Sequence, residues 1–264
     1  MKKPQASIII PTRNEEEAIA KVLCSIPKEI QKKIEIIVVD SSEDMTPIIA
    51  QRLGARVIKA KKKGKGYAMK LGVKVAKSDI LIFLDGDGTD PPQYIPKLLE
   101  KIKKYDLVLA SRNLKNKHSD KKSEIIFTFY LPFIKSFFKL MGFNVKGEPL
   151  AGFRAIKRNT WKILNLKSND FLIETEMNLK AVEHGLKVGE ILIPILPRCG
   201  GPLKSKLVRS PEQWIKIFNY GINYTKDKLI KKKLIEIKKR LIEAYSKINL
   251  TQYNSKQKCK VRYK

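Results

Sequence analysis

Cysteine is scarce in this chain of 264 residues, and its three cysteines lie far apart, at Cys24, Cys199 and Cys259. They form no Cys-X-X-Cys pair and show no zinc-ligand spacing. An odd and sparse set of cysteines excludes a disulfide framework and is typical of proteins in a reducing compartment. The sequence therefore predicts a cytoplasmic protein.

Long hydrophobic runs are also missing. The first apolar run, Ser7 to Pro11, is too short for a signal peptide. The longest apolar stretch covers residues 125–145, but a proline, two lysines and a glycine interrupt it. A membrane-spanning helix needs about 20 mostly apolar residues without charges near its middle. We therefore expect a protein that is soluble or bound to the cytoplasmic face of a membrane.

Acidic residues are few, with 26 against 55 basic residues, which gives a net charge of +29. Nucleic acid is one candidate partner, but no zinc-finger, RNA-recognition or helix-turn-helix signature accompanies the charge, so we do not expect it. An anionic membrane surface and phosphate-bearing substrates are two further explanations. A lysine-rich composition that only solvates the surface is the remaining alternative.

The first 110 residues contain a regular alternation of apolar and amphipathic segments. The apolar segments are continuous, which is typical of strands buried on both faces of a parallel sheet. Their order predicts an α/β fold with a mainly parallel, doubly wound sheet and helices on both faces. Beyond residue 112 we expect the alternation to stop. The predicted strands are Ala6–Ile10, Ile34–Val39, Arg56–Ile58, Ile80–Leu84 and Leu107–Ala110, and the predicted helices are Glu15–Ser25, Thr46–Leu53, Gly66–Ala76 and Pro92–Lys103.

Polar residues follow four of these strands, at residues 11–15, 40–42, 85–87 and 111–112. Ligands of doubly wound sheets bind at the carboxyl ends of the strands, so we expect the site at this edge. Neither a Walker A sequence nor a Gly-X-Gly-X-X-Gly sequence is present. This argues against a P-loop NTPase and against an ordinary dinucleotide site.

The most informative strand end is Asp85-Gly86-Asp87, directly after the fourth predicted strand. Carboxylates at positions i and i+2 can converge on one hard divalent cation, usually Mg²⁺ or Mn²⁺, which bridges substrate phosphates. Asp85 and Asp87 therefore form a candidate metal site in an enzyme that handles a nucleoside diphosphate. The same residues also suit an ordinary turn, which is the alternative.

Two basic amphipathic helices are predicted in the second half of the chain, after a polar loop from Asn113 to Glu124. The first is a core helix or a membrane-interface helix. The second can pack on the domain, form a coiled coil or bind anionic lipid, because residues 226–264 contain 14 basic and three acidic residues. Their apolar positions are Ile126, Tyr130, Phe133, Phe137 and Met141 in the first, and Ile230, Leu234, Ile237, Leu241 and Tyr245 in the second.

With these strand ends in place, the chain resembles the family 2 glycosyltransferases of the GT-A type. Within that family it is most similar to the dolichyl- and polyprenyl-phosphate sugar synthases. The resemblance covers residues 6 to about 210 and depends on nine short motifs in the family's order. The motifs are Ser7 to Glu15; Ile36 to Asp40 with Ser42, Asp44 and Thr46; Gly64 to Ala68; Asp85-Gly86-Asp87 with Pro91-Pro92; Ala110-Ser111-Arg112; Ala151-Gly152-Phe153-Arg154; Glu174-Thr175-Glu176; Pro194-Ile195 with Arg198; and Ser205-Lys206-Leu207.

The resemblance implies a role for individual residues. It implies Mg²⁺ or Mn²⁺ on Asp85 and Asp87, and catalytic roles for Asp87 and Glu176. Helix capping near Asn14 and ordinary surface charges are the alternatives. The implied donor-binding residues are Pro11, Arg13, Glu15, Asp40, Lys65, Asp85 and Gly86, and the implied acceptor-phosphate residues are Arg112, Arg154, Arg198 and Lys206.

The reaction implied by the resemblance is inverting, metal-dependent transfer of a sugar from a nucleotide sugar, of the GDP-mannose or UDP-glucose type. A polyprenyl or dolichyl phosphate acceptor is already anionic and needs no strong general base. A hydroxyl acceptor would need a carboxylate, for which Glu148, Glu174 and Glu176 are candidates. One alternative is a glycosyltransferase that acts on a soluble acceptor. The other is a basic scaffold that binds nucleic acid or lipid and whose sugar-nucleotide site is degenerate.

Several positions depart from the family's pattern and leave the sugar and the base open. Asp40 is followed by Ser41 where the family usually has a second aspartate. Arg13 replaces an aromatic residue, and Thr89 replaces a glutamine that often faces the metal. Glu148 and Ala151 replace an aspartate and a serine.

The predicted domain organisation is a GT-A domain over residues 1–210, followed by two C-terminal parts. Within the domain, residues 1–112 form the nucleotide-sugar half and residues 113–210 the acceptor half. Residues 211–253 are predicted as a basic amphipathic helical appendage, and residues 254–264 as a disordered tail.

Overall fold

The protein forms a seven-stranded sheet with the strand order β3-β2-β1-β4-β6-β5-β7. The structure is a computed structural model, and it describes residues 3–112, 121–194, 196–199 and 211–243, with the backbone only at 121–130, 211 and 212. β6 runs antiparallel to both of its neighbours, and all other neighbouring strands are parallel. The strands are β1 (Ala6–Thr12), β2 (Ile34–Asp40), β3 (Arg56–Lys59), β4 (Ile80–Phe83), β5 (Leu107–Arg112), β6 (Arg154–Lys157) and β7 (Val188–Ile193).

Helices connect the strands and cover both faces of the sheet. They are α1 (Glu16–Cys24), α2 (Lys28–Gln31), α3 (Thr46–Arg52), α4 (Lys65–Val75), a 3₁₀ turn (Pro92–Tyr94) leading into α5 (Ile95–Lys101), α6 (Lys121–Leu140), α7 (Arg158–Leu164), α8 (Leu172–Glu183), α9 (Pro211–Tyr224) and α10 (residues 228–243). The predicted fold class, a mainly parallel sheet between two layers of helices, is confirmed.

The core lies on both faces of the sheet because successive side chains of a strand point to opposite faces. Ile9 of β1 belongs to a cluster with residues of α4, α6, α8, α9 and α10. Ile8 and Ile10 belong to a second cluster with residues of α1, α3 and α5. Burial on both faces explains why β1 reads as a continuous apolar run and not as an alternating one.

The expectation that the alternation stops at residue 112 is wrong, because β6 and β7 extend the same sheet. β6 has the sequence Arg-Ala-Ile-Lys, which is too short to show a period, and β7 begins Val-Gly-Glu. The predicted loop at 113–124 is also too long, because α6 begins at Lys121. Residues 113–120 lie outside the described part of the chain.

The two basic amphipathic helices pack on the domain through their apolar residues. In α6, Ile134 and Phe137 are fully buried, and the Phe137 ring lies 5.0 Å from that of Phe218 in α9. In α10, Leu234 and Leu241 are buried in the same cluster. This packing is that of the core alternative for α6. In the described part of the chain, none of the helices combines the length and the apolarity needed to cross a membrane.

Candidate active site

The carboxyl ends of β1, β2 and β4 lie side by side, because β1 pairs with both of the other strands in parallel. Asp85-Gly86-Asp87 therefore lies next to Thr12 at the end of β1. A Cβ atom at Gly86 would lie only 2.8 Å from Thr12 Cγ2. The glycine thus allows the two carboxylates to be held against the neighbouring strand end.

Lys65 links two carboxylates in the centre of the site. Its Nζ lies 2.7 Å from Asp85 Oδ1 and 2.6 Å from Glu174 Oε1 of α8. Burial disfavours the ammonium, but the two carboxylates outweigh burial and raise the pKa of Lys65. Burial likewise favours neutral Asp85, but Lys65, Arg112 and Arg198 lower the pKa of Asp85. Lys65 and Asp85 are therefore a charged pair at neutral pH.

The glycines on either side of Lys65 allow its helix to approach the loop before α8. The backbone N–H of Gly66 donates to Asp170 O at 3.2 Å, and that of Tyr67 donates to Asn169 O at 2.9 Å. A Cβ atom at Gly66 would lie 2.5 Å from Ser168 O. This close approach fixes the start of α4 and thereby the position of Lys65.

Asp87 is held by its own turn and by residues 196–199, which follow β7 in the chain. Its Oδ1 accepts hydrogen bonds from Thr89 N at 2.9 Å and Thr89 Oγ1 at 2.7 Å. Its Oδ2 forms an ion pair with Arg198 Nη2. The backbone N–H of Cys199 donates to Asp87 O at 3.3 Å, so residues 196–199 lie across this turn.

Arg112, at the end of β5, brings a third cation and a buried carboxylate to the site. Its Nε lies 2.6 Å from Oε2 of Glu148, which is almost fully buried. Asp90 is buried close by, and within the described part of the chain its Oδ2 has no hydrogen-bond partner. Burial raises the pKa of Asp90 to about 7; Arg112 opposes this shift, and Asp85, Asp87 and Glu148 add to it.

The predicted donor-binding residues at the ends of β1 and β2 lie at this same edge. Asp40 is buried, and its Oδ1 accepts hydrogen bonds from Thr12 Oγ1 at 2.7 Å and Ser42 Oγ at 2.6 Å. The backbone N–H of Glu15 donates to Thr46 Oγ1 at 2.9 Å. Pro11 and Glu15 are half-buried, and Arg13 is exposed. Asp40 thus fixes the two strand ends to each other.

Arg154 does not have the geometry of the predicted acceptor-phosphate residue. Its side chain is fully buried; Nε donates to Ala151 O at 2.8 Å, Nη2 donates to the same oxygen, and Nη1 donates to Asn178 Oδ1 at 3.1 Å. All three nitrogens are engaged within the protein. In this structure Arg154 joins β6 to α8, and its predicted contact with the acceptor phosphate stays a prediction.

Glu176 likewise does not lie at the site as a free carboxylate. Its oxygens accept hydrogen bonds from the backbone N–H groups of Lys167 and Ser168, and Lys180 Nζ lies 2.9 Å away. Glu174, two residues earlier, is the glutamate that contacts Lys65. Glu176 thus anchors the loop before α8, and its predicted catalytic role stays a prediction. Lys206, the remaining predicted cation, lies outside the described residues.

The sequence underrated three acidic residues of the site. The sequence indicates Glu148 and Glu174 only as alternatives for a general base, and it indicates no role for Asp90. The signal for Asp90 is its place directly before Pro91-Pro92, where the chain turns from the strand end into the 3₁₀ turn.

The donor atoms at the end of β4 suit a hard divalent cation. Asp85 and Asp87 provide carboxylate oxygens, which Mg²⁺ and Mn²⁺ prefer, and such ions usually keep waters and substrate phosphates as their other ligands. No group of three or more His, Cys, Asp or Glu with metal-binding geometry occurs among the described residues. The arrangement therefore fits an ion shared with a diphosphate better than one enclosed by protein.

The sequence profile described as Glycosyl transferase family 2 matches residues 7–163, which run from the second residue of β1 to α7 and include β2 to β6. The chain belongs to glycosyltransferase family 2. The resemblance stated from the motifs is therefore confirmed, and this family 2 protein is a glycosyltransferase enzyme.

Relatives of this glycosyltransferase include two archaeal proteins named for lipid-phosphate acceptors. It is 31% identical over 195 residues to a dolichyl-phosphate hexose transferase of Haloferax volcanii, covering 74% of this chain and 84% of the relative. It is 30% identical over 194 residues to a dolichol-phosphate mannosyltransferase of Pyrococcus furiosus, covering 67% of this chain and 53% of the relative.

Its fold is similar to that of glucosyl-3-phosphoglycerate synthase from Mycobacterium tuberculosis, solved in complex with Mn²⁺, UDP and glucosyl-3-phosphoglycerate. The TM-score is 0.64 at 22% sequence identity, over 82% of this chain and 79% of that one. This likeness supports the GT-A assignment of the fold.

Proposed function

We propose that this glycosyltransferase is an inverting, Mg²⁺- or Mn²⁺-dependent enzyme that transfers a sugar from a nucleotide sugar to a polyprenyl or dolichyl phosphate. The observation that carries the proposal is one cluster at the end of β4. Two carboxylates, Asp85 and Asp87, lie there among three cations, Lys65, Arg112 and Arg198. Such a site suits a reaction in which both the leaving group and the acceptor are phosphates.

The donor occupies the carboxyl ends of β1, β2 and β4 in this proposal. Pro11, Arg13, Glu15 and Asp40 lie beside the nucleotide, whether it is of the GDP or the UDP type. Lys65 faces the diphosphate, since it already lies against Asp85. When bound, a divalent cation on Asp85 and Asp87 offsets the charge that develops on the leaving nucleoside diphosphate.

The acceptor phosphate contacts Arg112 and Arg198 in this proposal. Both side chains are largely buried, and an arginine fork matches a phosphate. An oxygen of the acceptor phosphate attacks the anomeric carbon, and the bond from that carbon to the donor diphosphate breaks with inversion. The attacking oxygen carries no proton to remove. A general base is therefore unnecessary, which agrees with the engaged state of Glu176.

An anionic membrane surface is the proposed partner that presents a lipid acceptor, and α10 offers a face for it. Ile235 and Ile242 are 40% and 41% exposed, and residues at i±3, i±4 and i−7 share their side of the helix. Those positions hold Lys228, Lys231, Lys232, Lys238 and Lys239. Lysines around exposed apolar residues are typical of helices that lie in a membrane interface.

Binding of donors by the full chain tests the proposal. The melting temperature is measured with GDP-mannose, UDP-glucose and other nucleotide sugars, with Mn²⁺ and with EDTA, because a ligand that binds only the folded state raises it. We expect one donor to stabilise the protein only with Mn²⁺, and Asp87→Asn to lose this effect. The donor that binds is then assayed for transfer to polyprenyl phosphate and to a soluble phosphorylated acceptor.

Each outcome separates one alternative. Transfer to the soluble acceptor alone would refute the lipid phosphate and keep the glycosyltransferase. A folded protein that binds no donor, but binds DNA in a strongly salt-dependent way, would favour the scaffold. If Asp87→Asn binds the donor as well as the wild type does, Asp87 does not hold the metal.

A further inference from the structure

Asp90 is a buried carboxylate whose oxygen Oδ2 has no hydrogen-bond partner among the residues that the structure describes. The residue is only 2% exposed. Buried polar groups are nearly always hydrogen-bonded, because an unpaired one loses its hydration without compensation. A buried carboxylate of this kind needs a physical reason.

The two nearest backbone donors are missing at Asp90. Among the residues that the structure describes, five other aspartates accept a hydrogen bond from the backbone N–H two residues later, and Asp87 and Thr89 illustrate this. The position two residues after Asp90 is Pro92, which has no N–H, and Pro91 has none either. The other pairs are Asp40 with Ser42, Asp44 with Thr46, Asp170 with Leu172, and Asp227 with Leu229.

The surroundings of Asp90 are acidic, and this makes the absence of a partner more costly. Asp85, Asp87 and Glu148 are close enough to disfavour its charge, and Arg112 is the cation that opposes them. Arg112 donates through Nε to Glu148. A further positive charge near the end of β4 would therefore stabilise the carboxylates of Asp85, Asp87 and Asp90 at once.

We infer that Asp90 is a third carboxylate of the divalent-metal site. Its Oδ2 does not contact the ion but accepts a hydrogen bond from a water bound to an ion that Asp85 and Asp87 hold. This inference rests on the proposed use of a divalent cation. Mg²⁺ and Mn²⁺ keep coordinated waters, and groups that bind those waters orient the ligands and raise affinity. Asp90 is thus a positioning residue, and the two prolines after it keep its carboxylate available.

The test is Mn²⁺ binding by the full chain at pH 8, measured by electron paramagnetic resonance of free Mn²⁺ without any sugar nucleotide. We expect Asp90→Asn to raise the Kd for Mn²⁺ about 10- to 100-fold, the range for such outer ligands. We also expect its melting temperature in EDTA to equal or exceed that of the wild type, since the variant removes a buried carboxylate that lies among other carboxylates. Glu29→Gln, at a remote and exposed carboxylate, is the control and leaves both values unchanged.

The opposite results would overturn the inference. If Asp90→Asn lowers the melting temperature in EDTA and leaves the Kd for Mn²⁺ unchanged, Asp90 has only a structural role. Asp87→Asn distinguishes this failure from failure of the proposed function. If Asp87→Asn loses Mn²⁺ binding and Asp90→Asn does not, only the role of Asp90 is misassigned. If the wild type does not bind Mn²⁺, or if Asp87→Asn binds it as tightly as the wild type does, both proposals fail.

Discussion

The three aspartates after β4 differ in what holds them. Asp85 contacts a lysine from α4, and Asp87 contacts its own turn and an arginine from residues 196–199. Asp90 Oδ2 contacts no donor among the residues with a described structure. The first two are therefore stabilised as anions by cations that also suit phosphates. When a diphosphate binds with its divalent cation, the lysine and the arginine would contact phosphate oxygens, and the two carboxylates would contact the cation. No further charged group would be needed.

At the residue scale, Glu176→Gln distinguishes a structural anchor from a catalytic group. Burial favours the neutral acid, but hydrogen bonds from Ser168 and Lys167 and the contact with Lys180 lower the pKa of Glu176 below its usual value of 4.5. The anion thus stabilises the fold above about pH 4.5, and this stability is lost as the pH falls through the lower, folded-state pKa.

We therefore expect Glu176→Gln to lower the melting temperature by a few degrees at pH 7, with a difference that shrinks toward pH 3. Donor binding should persist in the variant. Thermal unfolding between pH 3 and 8 measures the first effect, with exposed Glu100→Gln as the control. Loss of turnover at an unchanged melting temperature would instead support the catalytic role.

Residue types and spacing predicted much of the candidate site but could not predict burial. The motifs brought Asp40, Lys65, Asp85, Asp87 and Arg112 to one edge, because parallel strands end on the same side. The same reasoning assigned Arg154 to a phosphate, since a sequence shows the charge of an arginine and not its neighbours. Whether Arg154 faces solvent depends on where Asn178 and the Ala151 carbonyl lie, which only the fold decides.

At the scale of elements, the apolar positions of α10 make different contributions to stability. Leu234 is fully buried in the main cluster, whereas Leu229 of the same helix is 62% exposed. Leu→Ala in a core costs about 2–5 kcal/mol, and at an exposed position much less. We expect Leu234→Ala to lower the free energy of unfolding by an amount in that range and Leu229→Ala by less than about 0.5 kcal/mol.

Urea denaturation of the full chain measures both leucine variants. Equal, small effects would mean that α10 is attached only loosely and contributes little to the core. The spacing of four, three and four residues predicted the apolar face of α10. It could not predict that this face packs beside α6 and α9, because periodicity identifies a buried face and not its neighbour.

At the scale of the whole molecule, the net charge of +29 predicts attraction to anionic surfaces in general. The lysine-rich face of α10 around Ile235 and Ile242 further predicts which side of the protein contacts the anionic surface. We expect the protein to bind vesicles that contain anionic lipid, to bind less at high salt, and to ignore zwitterionic vesicles.

Two double variants that each remove two positive charges test whether vesicle binding depends on one face of α10 or only on the net charge. Lys231→Gln with Lys239→Gln alters the proposed face, and Lys233→Gln with Arg240→Gln alters the opposite side of the same helix. At about 1 kcal/mol per basic residue near the surface, the first pair should weaken vesicle binding roughly 30-fold and the second much less. Vesicle flotation measures both pairs; equal losses would show that charge alone matters.

The position of β6 has a consequence for the newly made chain. β5 pairs with β6 and β7 and with none of the strands that precede it in the sequence. While the protein is being synthesised, β5 therefore leaves the ribosome with two unpaired edges. The antiparallel strand β6 covers one of them when it emerges, and the other stays unpaired until β7 emerges. Exposed strand edges promote aggregation, so fragments that end soon after Arg112 should depend on chaperones, although they contain the whole metal motif.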